Sequence, residues 1–241
     1  MNMILLTEAD LVGARAARID GRRAAHVVDV LKAREGDTLT VGVVNGPIGE
    51  ARVSRVGGGT VELDLVLRAA PPRPRATVVL AMVRPQIMKR TLQHLATLGS
   101  RRIFLVGARR VEPSYFGQRL FDADRDELVG HLVLGLEQAR DTWLPEVSVH
   151  RRFSAFVEEV LPEVLAEIPA ASRFVAHPGA GQLPCRAEGS AQVALALGPE
   201  GGWIDDEVER FAAQGFRPVS LGPRILRVET AVPYLFGALG L

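Results

Sequence analysis

Residues 195–232 read LALGPEGGWIDDEVERFAAQGFRPVSLGPRILRVETAV, and this segment indicates the fold more strongly than any other in the chain. Two strand-like segments in it, 195–197 and 219–221, each run directly into a loop that begins with Gly-Pro. A helical segment, 205–215, lies between them and ends at a glycine, the residue that most often terminates a helix. Strands alternating with helices build parallel sheets, which bind ligands at the carboxyl ends of their strands. The two loops therefore indicate a small-molecule pocket.

The kind of ligand is limited by what the loops lack. Neither G-x-x-x-x-G-K-[ST] nor G-x-G-x-x-G opens a helix in this chain, so the glycine-rich phosphate cradles are not predicted. Glu200, in the middle of the first loop, would also repel a phosphate. A third glycine-rich strand end, 177–181, adds further exposed backbone groups. The alternative interpretation is three tight turns in which glycine and proline serve geometry alone.

The carboxylates near the two loops divide into two kinds. Asp205 and Asp206 are expected to cap the helix that follows, and Asp206 and Glu209 have the spacing of a capping box. Glu200 and Glu229 have no evident structural role in the sequence. These two acids are therefore candidates for the chemistry of the pocket.

The same strand–helix alternation extends upstream and predicts a mostly parallel sheet with helices on both faces. The helix over 154–168 is expected to bend at Pro162. The predicted strands cover 77–83, 102–108, 146–150, 172–177, 191–197 and 216–221. The predicted helices cover 85–99, 125–140, 154–168, 205–215 and 229–241.

The first 70 residues have a different pattern of predicted elements. Short alternating segments separated by turns predict strands at 37–45, 46–56 and 59–67, which is typical of a small β-barrel. One helix is predicted over 21–35, with Val27, Val30 and Leu31 on one side and Gly36 as its stop. A proline- and arginine-rich segment follows, and we expect an interdomain linker at 71–76.

Composition excludes several classes of protein. The single cysteine, Cys185, excludes an intrachain disulfide, and the scattered histidines lack metal-ligand spacing, so no metal is expected. No apolar run approaches the ~20 residues that cross a bilayer, and the N-terminus lacks a signal-peptide pattern, so a cytoplasmic protein without a membrane partner is expected. The net charge is +1, and nearly all basic residues are arginine. An arginine-favouring genome or contacts with phosphate could each explain that bias.

The paired loops closely resemble the C-terminal signature of RsmE-type methyltransferases, which is GPEGG-aromatic followed downstream by LG-x-RILR-x-ETA. The segment HVVDVLKAREGD, 26–37, resembles that family's H-x-x-x-VLR-x-x-x-GD, with Lys32 in place of arginine. The family belongs to the SPOUT superfamily. The resemblance implies a trefoil-knotted α/β methyltransferase domain over 77–241, preceded by a PUA-like, RNA-binding β-barrel over 1–70.

The resemblance also implies the reactants, which are S-adenosylmethionine as methyl donor and N3 of one uridine in 16S ribosomal RNA, free or in the small ribosomal subunit, as acceptor. Matching the motifs residue by residue gives the expected cofactor-binding set: His177, Pro178, Leu197, Gly198, Glu200, Gly201, Gly202, Leu221, Gly222, Ile225 and Leu226. The expected RNA-binding residues are Arg22, Arg23, His26, Lys32 and Arg224.

Motif position also suggests catalytic residues, because the uracil N3 proton must leave before the nitrogen accepts a methyl group. Arg227 is expected to stabilise the uracil anion or to anchor a phosphate, Glu229 to act as the base, and Thr230 to donate or accept a hydrogen bond. The alternative role of Glu229 is to cap the last helix, where the helix dipole favours an acid.

The middle of the chain departs from the family pattern. Lys89, His94 and Thr97 replace an acid, a base and an acid, and Asp141 stands where an arginine is usual. A different target nucleotide, or an RNA-binding relative without activity, therefore stays open. The apolar C-terminal segment 229–241 predicts a buried helix, either within one subunit or in a homodimer.

Overall fold

A computed structural model describes residues 2–117, 126–181, 186 and 191–241. Cys185 lies outside the described residues. The chain forms two compact units, the first comprising Met1–Arg73 and Val133–Leu144, and the second comprising Pro74–Leu132 and Pro145–Leu241. The segment 133–144 lies within the predicted second domain, 77–241, but in the structure it belongs to the same unit as the N-terminal strands.

The first unit is built on a five-stranded sheet in the order β1-β3-β4-β5-β2. Its strands are β1 (Ile4–Leu6), β2 (Ala16–Ile19), β3 (Thr38–Val43), β4 (Ile48–Gly57) and β5 (Thr60–Leu67). Strands β3, β4 and β5 match the three predicted ones and pair antiparallel, whereas β1 joins β3 in parallel. Alternate residues of β4 and β5, such as Val53 and Leu63, are buried, so one face of the sheet forms the core. This arrangement fits a small barrel-like domain.

The predicted helix over 21–35 is shorter in the structure. It comprises α1 (Gly21–Ala25) and a π-helical turn over His26–Val30. Lys32 adopts a left-handed conformation with φ of 56°, which an α-helix does not accommodate. Of the three apolar residues on the predicted side, Val27 is fully buried, whereas Val30 and Leu31 are 65% and 44% exposed.

The second unit contains a six-stranded sheet in the order β11-β9-β10-β6-β7-β8, with every neighbouring pair parallel. The prediction of a parallel sheet is therefore confirmed. Its strands are β6 (Ala76–Ala81), β7 (Ser100–Val106), β8 (Glu146–His150), β9 (Arg173–Ala176), β10 (Val193–Leu197) and β11 (Arg217–Val219). Its helices are α2 (Pro85–Thr97), α3 (Asp126–Ala139), which extends into the first unit, α4 (Phe153–Ala155), α5 (Leu161–Leu165), α6 (Asp205–Ala213) and α7 (Val228–Leu239).

The predicted bend at Pro162 takes the form of a π-helical turn over Phe156–Val160 that joins α4 to α5. Proline has no N–H to donate to the carbonyl one turn earlier, so the helical hydrogen-bond register changes just before it. Phe156 and Leu161, on either side of this change, remain buried in the core.

The strand order places the predicted loops together. Strands β11, β9 and β10 are neighbours and parallel, so their carboxyl ends lie at the same edge of the sheet. The loops that leave these strands are 220–227, 177–181 and 198–204. Strand β10 is buried along its whole length, as expected of a central parallel strand.

Candidate ligand pocket

The three loops line a cavity of about 350 Å³. Every residue predicted to bind a cofactor lies in its wall, together with Arg224, which was predicted to contact RNA. The lining residues are Arg110, Ala176, His177, Pro178, Leu197, Gly198, Pro199, Glu200, Gly201, Gly202, Trp203, Leu221, Gly222, Arg224, Ile225, Leu226, Val228 and Ala231.

The glycines of the pocket are required by backbone geometry. A Cβ atom on Gly198 would lie 2.9 Å from the backbone nitrogen of Trp203, closer than such contacts occur. Gly202 and Gly222 have φ of 71° and 108°, values that side chains other than glycine rarely adopt. The loops therefore expose backbone groups to the cavity, and a ligand can approach the main chain closely.

Glu200 has a structural partner that the sequence did not reveal. Its Oε1 accepts a hydrogen bond of 3.1 Å from the backbone N–H of Arg84, the residue that precedes the first turn of α2. The carboxylate thereby satisfies one of the free N–H groups at a helix N-terminus. Because the Glu200 side chain is also exposed at the cavity, the same contact holds a negative charge beside any ligand.

The cap of α6 differs from the prediction. Asp206 and Glu209 do not form the capping box. Instead Glu207, which is 3% exposed, accepts the N–H of Ile204 at 3.0 Å. The other oxygen of Glu207 accepts the N–H of Arg109 at 2.7 Å. The acid run of 205–207 offers several registers for a cap, and the contact with Arg109 selects Glu207. The Glu207 carboxylate thus connects the loop after β7 with the end of the GPEGGW loop.

Arg110 is a pocket residue that sequence reasoning missed. It follows β7, and its guanidinium Nη1 donates a hydrogen bond to the carbonyl oxygen of Gly201. The aliphatic part of the side chain lies against the same glycine, since a Cβ on Gly201 would be 3.1 Å from Arg110 Cδ. The position of Arg110 just beyond a parallel strand was the available signal.

The three predicted catalytic residues do not line the cavity, although their neighbours in the sequence do. Arg227 is the N-cap residue of α7, and Glu229 and Thr230 lie in the first turn of that helix. Val228 and Ala231, their neighbours on the helix, do line the cavity. Since Arg227 occupies the cap position, Glu229 is not the cap, although an acid in this first turn interacts favourably with the helix dipole.

The remaining predicted RNA-binding residues belong to the first unit. Arg23 is largely taken up by structure: its two terminal nitrogens donate to the carboxylate of Asp10 at 2.6 and 2.7 Å, and one also donates to the Leu5 carbonyl oxygen at 3.0 Å. Burial raises the pKa of Asp10, but the hydrogen bonds from Arg23 and Thr7 outweigh it, and the net pKa is lowered. The Arg23 side chain is 19% exposed.

Arg22, His26 and Lys32 have different surroundings. Arg22 forms an ion pair of 3.0 Å with the buried Glu137, yet half of its own side chain is exposed. Lys32 is exposed, and His26 is half-buried. Exposed cations in this group fit contacts with phosphate better than Arg23 does.

Membrane-spanning helices and metal centres are absent from the described ranges. No helix there is long and apolar enough to cross a membrane. Within those same ranges, no group of three or more histidine, cysteine, aspartate or glutamate side chains is arranged to hold a metal ion.

The fold and the pocket define the class of this protein. It is an α/β protein whose glycine-rich loops line a cavity at the carboxyl edge of a parallel sheet. Residues 71–240 match the family described as RNA methyltransferase domain, and the chain belongs to that family. The RsmE-type family predicted from the paired loops is confirmed.

The chain is similar to several individual proteins over nearly its whole length. It is 29% identical over 240 residues to ribosomal RNA small subunit methyltransferase E of Treponema pallidum, covering 96% of this chain and 87% of that one. The solved structure of the Neisseria gonorrhoeae ribosomal RNA small subunit methyltransferase E, bound to S-adenosyl methionine, has a TM-score of 0.75, 24% identity and coverage of 100% and 96%. Lpg2936 of Legionella pneumophila, solved with bound SAM, has a TM-score of 0.76, 22% identity and coverage of 99% and 96%. Both structures show that the fold is that of these methyltransferases.

Proposed function

We propose that this protein is an S-adenosylmethionine-dependent methyltransferase that modifies N3 of one uridine in 16S ribosomal RNA. The observation that carries the proposal is the convergence of all the motif-predicted cofactor residues on one cavity. Relatives named ribosomal RNA small subunit methyltransferase E, one of them solved with S-adenosyl methionine, support the donor and the class of acceptor.

The pocket fits this cofactor on chemical grounds. Its volume of about 350 Å³ lies within the range of small-molecule sites. Gly198, Gly202 and Gly222 leave the main chain accessible, so backbone N–H and C=O groups can recognise the adenine ring. Glu200 supplies a negative charge that favours the sulfonium cation. The bound cofactor supplies an activated methyl group, and the protein contributes mainly position and electrostatics.

The acceptor nitrogen needs help from the protein because uracil N3 carries a proton. We assign its removal to the Glu229 carboxylate, which would accept the proton as the lone pair of N3 forms the N–CH₃ bond, while the donor's S–CH₃ bond breaks and S-adenosylhomocysteine leaves as a thioether. Arg227 would stabilise the negative charge on the uracil oxygens or hold an adjacent phosphate, and Thr230 would hydrogen-bond to the base. The position of all three at the N-terminus of α7, whose Val228 and Ala231 line the cavity, supports these roles.

The domain organisation completes the proposal. Residues 1–70 are assigned to a PUA-like barrel that binds RNA and that 133–144 completes, 71–76 to a linker, and the rest of 77–241 to a SPOUT domain with a trefoil knot. Arg22, Lys32 and His26 would serve the RNA contacts of the barrel, and Arg224 those near the cofactor. We further propose a homodimer that works in the cytoplasm, where small ribosomal subunits are assembled.

The test is methyl transfer from labelled S-adenosylmethionine to small ribosomal subunits that lack the modification, followed by mapping of the product. We expect one N3-methyluridine in 16S ribosomal RNA. Cofactor binding without incorporation into any RNA would indicate an inactive RNA-binding relative, and label at another nucleotide would overturn the assigned target. A Glu229→Gln arm under single-turnover conditions should be at least tenfold slower, in line with general-base catalysis. A near-normal rate would exclude the base role.

A further inference from the structure

Arg110 has a placement that its structural contacts alone do not explain. Arg110 is exposed, yet it forms part of the cavity wall. It lies between the strand end of β7 and the GPEGGW loop, and it was not part of the motif that resembles the family. Charged side chains in the wall of this cavity are few: Glu200, Arg224 and Arg110 itself.

The guanidinium of Arg110 is held in place by Gly201. Nη1 donates to the Gly201 carbonyl oxygen, and the aliphatic carbons pack on the glycine Cα. A guanidinium has five N–H donors. Among the described residues, the bond to Gly201 is the one that is recorded for this group. The remaining donors are fixed in orientation by that anchor, so an incoming anion would meet a pre-oriented partner.

The chemistry of the ligand identifies what that partner would be. The amino-acid end of S-adenosylmethionine carries one ammonium and one carboxylate, and the carboxylate is the only anion of the molecule. Both charged residues adjoin Gly201. Glu200 precedes it in the sequence, and Arg110 donates a hydrogen bond to its carbonyl oxygen. A fixed cation in the cavity wall complements the carboxylate of the cofactor, and arginine pairs with carboxylates through strong charge-assisted hydrogen bonds.

We propose that Arg110 binds the carboxylate of the amino-acid end of the cofactor and thereby makes the pocket specific for ligands that carry this group. The inference rests on the proposed function and assigns to Arg110 a role in selecting the ligand. Arg224 is the other cation of the wall, but it lies in an exposed loop, also lines a second cavity, and has no recorded hydrogen bond among the described residues. Arg110 is the cation of the wall whose guanidinium is anchored by a hydrogen bond to the pocket loop.

The test compares two ligands by calorimetry. S-adenosylhomocysteine keeps the amino-acid end, whereas 5′-methylthioadenosine has the same nucleoside without it. We expect Arg110→Met to weaken binding of S-adenosylhomocysteine by about tenfold or more while changing the affinity for methylthioadenosine by less than about threefold. Retained binding of methylthioadenosine would also show that the variant is folded. Arg110→Lys should recover part of the lost affinity, since it keeps the charge but not the planar fork.

The matched control is Arg109→Met. Its side chain is exposed and does not line the cavity, and the contact of Arg109 with Glu207 is made by the backbone N–H, which the substitution keeps. This variant should bind both ligands as the wild type does. Equal losses for both ligands in Arg110→Met would mean that Arg110 only shapes the loop, and unchanged affinities would mean that it makes no contact. A selective loss in Arg224→Met instead would transfer the role to Arg224. Wild-type protein that binds neither ligand would overturn the proposed function as well.

Discussion

At the scale of single residues, the arginines show what a sequence can and cannot reveal. Arg22 and Arg23 were both predicted to bind RNA, but only the structure shows that Arg23 is paired with Asp10. These two residues are 13 positions apart and meet through the fold of the first unit, so no local pattern predicts their contact. Glu200 was identified as a pocket residue because its motif is local, whereas its bond to Arg84, 116 positions away, was not foreseeable.

The Asp10–Arg23 pair yields a stability prediction. Asp10→Asn should lower the free energy of unfolding at neutral pH by about 2–3 kcal/mol, because it leaves the Arg23 guanidinium partly buried without its counter-charge. Since the native pKa of Asp10 lies below the ordinary value of 3.8, the native state favours the ionised form. The stabilisation is therefore present above that value and is lost as the pH falls through the lowered native pKa.

Urea titrations at several pH values measure this effect, with Trp143 fluorescence in a Trp203→Phe background reporting on the first unit. The difference between wild type and Asp10→Asn should narrow from about pH 4 downward. Glu50→Gln is the control, because the Glu50–Arg68 pair is exposed on both sides and should contribute less than about 0.5 kcal/mol. Equal stability of wild type and Asp10→Asn at neutral pH would contradict the assignment.

At the scale of elements, the helix α6 illustrates a correct element with an incorrect cap. The periodicity and the terminal glycine predict the helix, but the acids at 205, 206, 207 and 209 allow more than one capping register. The backbone N–H of Arg109, brought near by the parallel sheet, settles the register in favour of Glu207. Local spacing predicts which residues can cap the helix, and tertiary contacts determine which of them does so.

Glu207→Ala should therefore be strongly destabilising. The substitution leaves the N–H groups of Ile204 and Arg109 without their acceptor, at about 1–3 kcal/mol for each group that stays buried. Because Trp203 and Arg110, the chain neighbours of these two residues, line the pocket, binding of S-adenosylhomocysteine should weaken in the same variant. Thermal unfolding and calorimetry measure the two effects. The exposed Glu209, altered to alanine, should change stability by less than about 0.5 kcal/mol, and an equally large loss there would favour the Asp206–Glu209 cap.

At the scale of the whole molecule, the alternation of strands and helices predicted the parallel sheet, and the paired loops predicted the pocket edge. The sequence did not predict that 133–144 belongs to the first unit, because this segment continues a helical pattern that begins in the second. Its contacts are made with residues far away in the chain. Thr142 Oγ1 donates to the Gly46 carbonyl oxygen at 2.6 Å, and the indole N–H of Trp143 donates to the Pro71 carbonyl oxygen at 2.8 Å.

The same segment buries Glu137 in the first unit, where its side chain accepts hydrogen bonds from Arg22 and from the backbone N–H of Leu5. Fragment 1–73 should consequently fold poorly alone. Loss of these hydrogen bonds and of the Trp143 packing amounts to about 4–6 kcal/mol, which is comparable to the whole stability of a small domain. Fragment 1–73 joined to 133–144 by a flexible linker should fold, with dispersed amide resonances in its NMR spectrum. Trp143→Ala in the linked fragment tests whether the packing of Trp143, and not the added chain length alone, stabilises the fold. Equal dispersion and equal urea midpoints for 1–73 and the linked fragment would show that the N-terminal barrel is independent of 133–144.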